Sequence, residues 1–397
     1  MDFIIDPENN SQLSYNNLLS TINSSDIYYK VWKYPNFTEF VINFIKALVT
    51  NNDIVLIDKD YTKNELSNIG YDDNFLESNI NINIKNLDEL INLVKNSKSN
   101  ITIFTSGTTG VPKKVTHSVS SLIRMFRKTD NCIWTMCYNP VHIAGLHILF
   151  QSLLNLNTII YLFEQDFSKI RENINKYRVT HISATPTFYK LLIGSSSNEY
   201  RSVSRVTIGG ESSNINLYNS IKKYFTQAKI NNIYASSEIG SLFVSENDIF
   251  KIPESIFDKV KIENNELLVH KSLISIEIND DWYKTGDEVI IISENEFKFS
   301  NRKNDIINVG GYKVNPIEIE SLISELNGVI DVRVYGRKNS VTGNLICAEI
   351  SISEDSLIDN KQIKNYLSDK LQTYKIPKII TFVDKTKFNK NQKKERK

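Results

Sequence analysis

The run Ile103-Phe104-Thr105-Ser106-Gly107-Thr108-Thr109-Gly110-Val111-Pro112-Lys113 concentrates donors suited to an anion. Glycines let the backbone come close to an oxyanion, and successive N–H groups in a turn form a nest for phosphate oxygens. Thr105, Ser106, Thr108 and Thr109 add hydroxyls, and Lys113 adds a positive charge. The Gly-Lys-Ser/Thr ending of a Walker loop is missing, so phosphate would be bound in another way. On residue types alone the segment reads either as that site or as a polar turn between two strands. The chain end, FVDKTKFNKNQKKERK, reads on the same basis as a solvated basic tail.

A loop of this kind needs a rigid scaffold. Ile101 to Phe104 is a β-branched run leading into it, Ile54 to Ile57 is a second short strand, and Phe37 to Leu48 has helical periodicity. Beyond the loop, strand-like runs at Thr158–Leu162, Val179–Ser183, Val203–Ile208 and Asn232–Tyr234 are separated by helix-length segments, the pattern of a mainly parallel α/β sheet. From about Glu263 the texture becomes short strands and turns, including Glu266–His270 and Glu288–Ser293. After Asn301 come a turn, a helix (Pro316–Leu326), strands (Val329–Val334 and Leu345–Ser353) and a helix (Lys361–Leu371). The expected organisation is a large α/β domain at 1–300, a hinge at 301–304 and a small, mobile α+β domain at 305–397.

Bulk properties narrow the function classes. With 397 residues, 41% hydrophobic and 23% charged, the chain has material for two or three soluble domains. A formal charge of +1 gives no general attraction to nucleic acid or membrane. Cys132, Cys137 and Cys347 form neither a disulfide framework nor a zinc spacing, which points to a reducing, cytoplasmic setting. The start, MDFIIDPENN, lacks the pattern of a secretory signal. Leu146–Phe163, interrupted by Gln151, Asn155 and Asn157, reads as core and not as a membrane span.

The run from Ile103 to Lys113 resembles the phosphate loop of the adenylate-forming superfamily, which includes acyl-CoA synthetases, peptide-synthetase adenylation domains and luciferases. Further motifs follow in that family's order. Ile208-Gly209-Gly210-Glu211 resembles its adenine-pocket turn. Tyr234-Ala235-Ser236-Ser237-Glu238 resembles its Tyr-Gly-x-Thr-Glu motif, with Ala235 and Ser237 as departures. The resemblance implies an aromatic face for adenine at Tyr234, a hydroxyl for the α-phosphate at Ser237, and Mg²⁺ at Glu238 and Thr108. Trp282-Tyr283-Lys284-Thr285-Gly286-Asp287 resembles the ribose motif, with Asp287 on the sugar hydroxyls. Asn301 to Glu320 resembles the hinge and glycine-rich loop: Arg302 for the nucleotide, Asn304 as hinge, Gly310 and Gly311 for a pantetheine arm. Asn301 and Asn304 depart from the family pattern. At the chain end Lys393 takes the place of the catalytic lysine, with Lys390 and Lys394 as rivals, while Lys387 and Gln392 replace the usual Pro and Gly.

The activity implied is ATP-dependent formation of acyl-AMP from a carboxylic acid, followed by acyl transfer to a thiol, most simply coenzyme A. Loading of an acyl carrier protein's phosphopantetheine is the alternative within the family, and a degenerate nucleotide-binding protein the alternative outside it. Asn139-Pro140-Val141-His142-Ile143-Ala144-Gly145 resembles the segment of acid–CoA ligases in which His142 would border the acyl and thiol channels, whereas His147 reads as structural. No aspartate lies between Cys137 and Gln151 to bind an α-amino group, so a simple acid is expected, with pocket walls including His181–Thr187.

Overall fold

A computed structural model describes residues 1–59, 61, 66–67, 69–71, 77–105, 113–194, 199–211, 215–302, 307–309, 312–339, 343–371 and 373–384. Its centre is an eight-stranded sheet in the order Gly240–Ser245, Lys229–Ser236, Arg205–Gly209, His181–Ala184, Ile133–Met136, Thr158–Tyr161, Asp2–Asp6 and Ser11–Ser14. The inner strands run parallel, and only the two outermost pairs are antiparallel. Alternation along the strands gives the sheet two different faces. Ile182, Ala184, Val206, Ile208 and Ile230 pack into an apolar core with Phe188, Tyr189 and Leu192 of helix Pro186–Gly194. Ser183, Thr207 and Asn231 point the other way, toward helix Ile143–Leu153.

A four-stranded sheet carries the phosphate-loop hairpin: Val31–Lys33, Ile54–Ile57 and Asn100–Thr105 are parallel, and Lys113–Ser118 returns antiparallel. Helix Phe37–Val49 is capped by the Asn36 side chain, which accepts from the Glu39 N–H, and is buried along most of its length beside this sheet. A five-stranded antiparallel sheet follows, in the order Ile249–Lys251, Glu296–Arg302, Trp282–Ser293, Glu266–His270, Val260–Glu263.

Past residue 306, strands Val329–Asn339, Gly343–Ile352 and Ile379–Phe382 form a separate sheet under helices Pro316–Ile323 and Asn360–Ser368. They close a core of their own around Ile319, Val332, Val334, Ile350 and Ile363. Helix 316–323 is shorter than expected because beyond Ser324 the backbone tightens, the N–H groups of Glu325 and Leu326 bonding the carbonyls three residues back, Leu322 and Ile323. Strand 329–339 is longer, since its partner continues opposite it to Gly343. Lys190 reaches across from helix 186–194 to Asp331, Nζ to Oδ1 2.9 Å, with the aspartate fully covered. Among the described residues no helix is long and apolar enough to cross a membrane.

Candidate active site

The end of one strand pair meets the tip of a second hairpin at the site. Thr105 pairs with Lys113 at the end of the first, and segment 106–112 between them lies outside the described residues. The second joins strands Lys229–Ser236 and Gly240–Ser245 through Ser237, Glu238 and Ile239. A three-residue hairpin loop of this kind ends on a left-handed position, and Gly240 supplies it at φ +75°. Ser237 and Glu238 thus stand at the tip of a hairpin.

Strand Lys113–Ser118 is tied to that second tip by side chains on one of its faces. Lys113 Nζ stands 3.6 Å from Glu238 Oε1, and His117 Nε2 donates to the Ser237 carbonyl over 2.8 Å. A third segment closes the junction: the Ser275 N–H donates to the Glu238 carbonyl over 2.7 Å, and the Ser275 carbonyl accepts from the Thr116 N–H. Lys113 also lies 6.0 Å from the ring centroid of Tyr283. Among the described residues there is no group of three side chains able to cage a metal. One carboxylate beside a segment that resembles a phosphate loop is nonetheless a donor set suited to Mg²⁺, which keeps waters and rides on substrate phosphates.

Next to the junction the Tyr234 hydroxyl donates to Asp287 Oδ2 over 2.7 Å, and its ring stacks on Phe299 at 4.4 Å. Asp287 lies within strand Trp282–Ser293, not in a free turn. Gly286 at φ +75° lets the strand break register there, and the Gly286 N–H donates to Glu266. The Asp287 backbone pairs with that of Arg302, of which only the backbone is described. Gly209 ends its strand where a Cβ would come within 3.3 Å of the Ile233 carbonyl, and Gly210 turns at φ +84°. Glu211 then accepts from both the N–H and the hydroxyl of Thr187, at 3.1 and 2.7 Å.

A cavity of ≈ 320 Å³ runs from this turn between helix Ile143–Leu153 and the polar face of the main sheet. Strand register orders its floor in rows: Gly209 and Ile233, then Ser183, Thr207 and Asn231, then Trp134, His181 and Arg205. The floor spans four residues of strand, ~13 Å. At the far row the Trp134 Nε1 is buried with no hydrogen-bond partner, and Arg205 makes no ion pair among the described residues. Burial holds the His181 and His147 imidazoles neutral, each pushed down to about 4. His142 caps the helix at the mouth, and His147 bonds Ser241 Oγ at 3.1 Å while also lining the cavity.

The model of the AMP-binding enzyme family matches residues 44–261, and that of the AMP-binding enzyme C-terminal domain matches residues 318–393. The chain belongs to the AMP-binding enzyme family. It is 28% identical over 334 residues to a 2-succinylbenzoate–CoA ligase of Listeria monocytogenes serotype 4b, covering 76% of this chain and 70% of the relative. With the enzyme of the same name from Staphylococcus aureus strain Newman it shares 24% over 394 residues, 88% of this chain and 77% of the relative. Among solved structures, ATP-bound MatB from Rhodopseudomonas palustris superposes with a TM-score of 0.73 at 16% identity, covering 98% of this chain and 93% of that one. The o-succinylbenzoate CoA synthetase MenE of Bacillus subtilis, in complex with OSB-AMP, gives 0.71 at 18% identity, covering 99% and 93%.

Of the residues singled out in the sequence, Gly209, Gly210, Ser237 and His142 line the cavity, while Lys113 with Glu238 and Tyr234 with Asp287 form pairs at the same hairpin, and Thr105 pairs with Lys113 along the strands. Ser106, Gly107, Thr108, Thr109, Gly110, Asn304, Gly310, Gly311 and Lys393 lie outside the described residues. Two expectations are corrected. The wall does not extend along His181–Thr187 as a block: His181 and Ser183 line the cavity, whereas Ala184 packs into the opposite core and Thr187 holds Glu211. The neighbourhood of His142 is not free of carboxylates either. Asp58, at the end of strand Ile54–Ile57, accepts from Asn139 Nδ2 at 2.6 Å and stands 3.8 Å from His142 Nε2. That carboxylate comes from a segment without a motif, so no local spacing could have found it.

Proposed function

We propose that this chain activates an aromatic acid carrying a second carboxylate, of the 2-succinylbenzoate class, as its acyl-AMP and passes the acyl group to coenzyme A. The cavity carries the reading. It reaches Ser237, the neighbour of Glu238, at one end, and at the other the Trp134 N–H, buried without a hydrogen-bond partner among the described residues, and Arg205, which makes no ion pair among them; a fatty tail would gain nothing there. Its length suits a substituted ring with a short side chain. The relatives that bear the 2-succinylbenzoate–CoA ligase name point to the same substrate class.

The reacting carboxylate is ionised at neutral pH and needs no base. Its oxygen forms a bond to the α-phosphorus of ATP as the bond to pyrophosphate breaks. Catalysis then consists of placing two anions together and offsetting their repulsion. Lys113 and the hydroxyls of segment 105–109 serve the departing phosphates, Ser237 the α-phosphate, and Lys393 both reacting anions. Glu238 and Thr108 would hold Mg²⁺, which would supply further positive charge to the phosphates. Tyr234 packs against adenine, Gly209, Gly210 and Glu211 shape its pocket, and Asp287 and Arg302 take the ribose. In the second half, the coenzyme A sulfur attacks the acyl carbon and AMP leaves with the oxygen. The small domain, 305–397, turns about Asn304 to exchange Lys393 for the Gly310–Gly311 channel, with His142 between acyl and thiol paths. Three buried, unpaired cysteines fit a reducing cytoplasm.

Acid-dependent ATP–pyrophosphate exchange over a panel tests the assignment. 2-Succinylbenzoate should exchange best, benzoate and medium-chain fatty acids weakly, and proteinogenic amino acids least, since Asp58 is already bonded to Asn139. Better exchange with a fatty or amino acid than with any dicarboxylic aromatic acid rejects the substrate class.

A further inference from the structure

We propose that His117 is a positioning residue for the nucleotide site: its Nε2–H fixes the Ser237 carbonyl and so sets where the Ser237 hydroxyl and Glu238 carboxylate point. The inference rests on the ligase reading for what those two groups do, but the geometry stands by itself. Lys113, Val115 and His117 alternate along one face of strand Lys113–Ser118, so a single strand presents a cation to Glu238 and a donor to Ser237. A carbonyl can only accept, so the proton of the neutral ring sits on Nε2. His117 is 1% exposed and is flanked along the chain by buried Val115 and Val119.

Packing alone does not account for an imidazole here. Its Nδ1 is buried with no hydrogen-bond partner among the described residues, so the ring carries a desolvation cost that an aliphatic side chain would avoid. The bond to Ser237 is what the ring has to offset that cost. It also joins the Tyr234–Glu238 hairpin to strand Lys113–Ser118 one residue away from the Lys113–Glu238 ion pair. His147 bonds the same hairpin through Ser241, and the Ser275 N–H holds the Glu238 carbonyl. The hairpin tip is therefore held from three elements, with His117 setting its distance from Lys113.

Gln and Asn at position 117 separate this role from bulk. Glutamine carries its amide nitrogen at the reach of Nε2, whereas asparagine places it near Nδ1, short of the carbonyl. His117→Asn should lower the exchange kcat about tenfold, the scale of one lost hydrogen bond, with KM for the acid unchanged. His117→Gln should recover most of that loss. A second readout is the Mg²⁺ concentration needed for half-maximal ATP binding, followed by calorimetry. It should rise in His117→Asn and return in His117→Gln. Equal behaviour of the two variants in both assays, whether both intact or both impaired, overturns the proposal. Should the wild type show no exchange with any acid, the ligase reading fails, and the Mg²⁺-dependent ATP binding of the two variants still decides the role of His117.

Discussion

At the nucleotide end of the cleft the functional groups hold one another: Lys113 faces Glu238, His117 bonds Ser237, and Tyr234 bonds Asp287. At the acid end the Trp134 N–H has no hydrogen-bond partner and Arg205 no ion pair among the described residues. The first end is built in advance and depends little on which acid arrives. On the proposed function the second would be completed by its ligand, with its polar groups setting which acid completes it. Preorganised donors lower a barrier, whereas groups satisfied only on binding discriminate between ligands. Substitutions at the two ends should therefore separate in kinetics, the nucleotide end moving kcat and the acid end moving KM and specificity.

The largest effect belongs to Lys393, which the reading brings to the junction only for adenylation. Lys393→Ala should lose roughly two to three orders of magnitude in exchange, the scale of a lost transition-state donor. Preformed acyl-AMP and coenzyme A should still give thioester at near wild-type rate. Gly311→Leu should do the reverse. If Lys390→Ala or Lys394→Ala abolishes exchange while Lys393→Ala does not, the terminal register is wrong. If both Lys393→Ala and Gly311→Leu impair the two halves equally, domain alternation does not operate.

Glu238→Gln comes next and stays within the nucleotide end. It removes a charge but keeps the shape, so exchange should fall by roughly tenfold or more while KM for the acid holds and the Mg²⁺ requirement rises. Wild-type turnover in this variant rejects Glu238 as a metal ligand. At the other end, Arg205→Leu should raise KM for 2-succinylbenzoate about tenfold, leave kcat nearly unchanged, and leave benzoate unaffected. An equal loss for both acids would mean that Arg205 is structural and would dissolve the contrast between the two ends.

That contrast also explains what could be read in the sequence. The nucleotide end is made of short motifs in which neighbours in the chain are neighbours in space, such as Tyr234 to Glu238, so residue types and spacing locate them. The alternating strands and crossover helices of the main sheet follow from periodicity in the same way, and strands 54–57 and 266–270 fall where the apolar runs lie. The acid end is assembled by register: Trp134, His181 and Arg205 come together because three parallel strands start level. Asp58 and His117 enter through pairings equally remote in sequence. The first strand, Asp2–Asp6, was missed for a related reason, since it joins the sheet beside Thr158–Tyr161 from the far end of the chain.

The smallest effect on turnover is that of pH between neutrality and 8, because the imidazoles buried at both ends do not titrate there. Their influence lies in stability. His117 at the nucleotide end, His181 at the acid end and His147 between them are each pushed by burial from 6.5 down to about 4. The unfolded chain therefore binds protons in that window that the folded chain refuses. The stabilisation is complete above 6.5, declines as pH falls toward 4, and loses nothing further from these groups below it. Each unit of depression is worth about 1.4 kcal/mol. Urea unfolding followed from pH 8 to 4 should show a flat plateau and then a decline beginning near 6.5, well above the range in which ordinary carboxylates titrate. His147→Gln should soften the decline, because an amide in that place has no proton to take up. A plateau that persists to pH 4.5 in the wild type would show that these rings are solvated in the native protein, and the buried neutral junction would have to be abandoned at both ends alike.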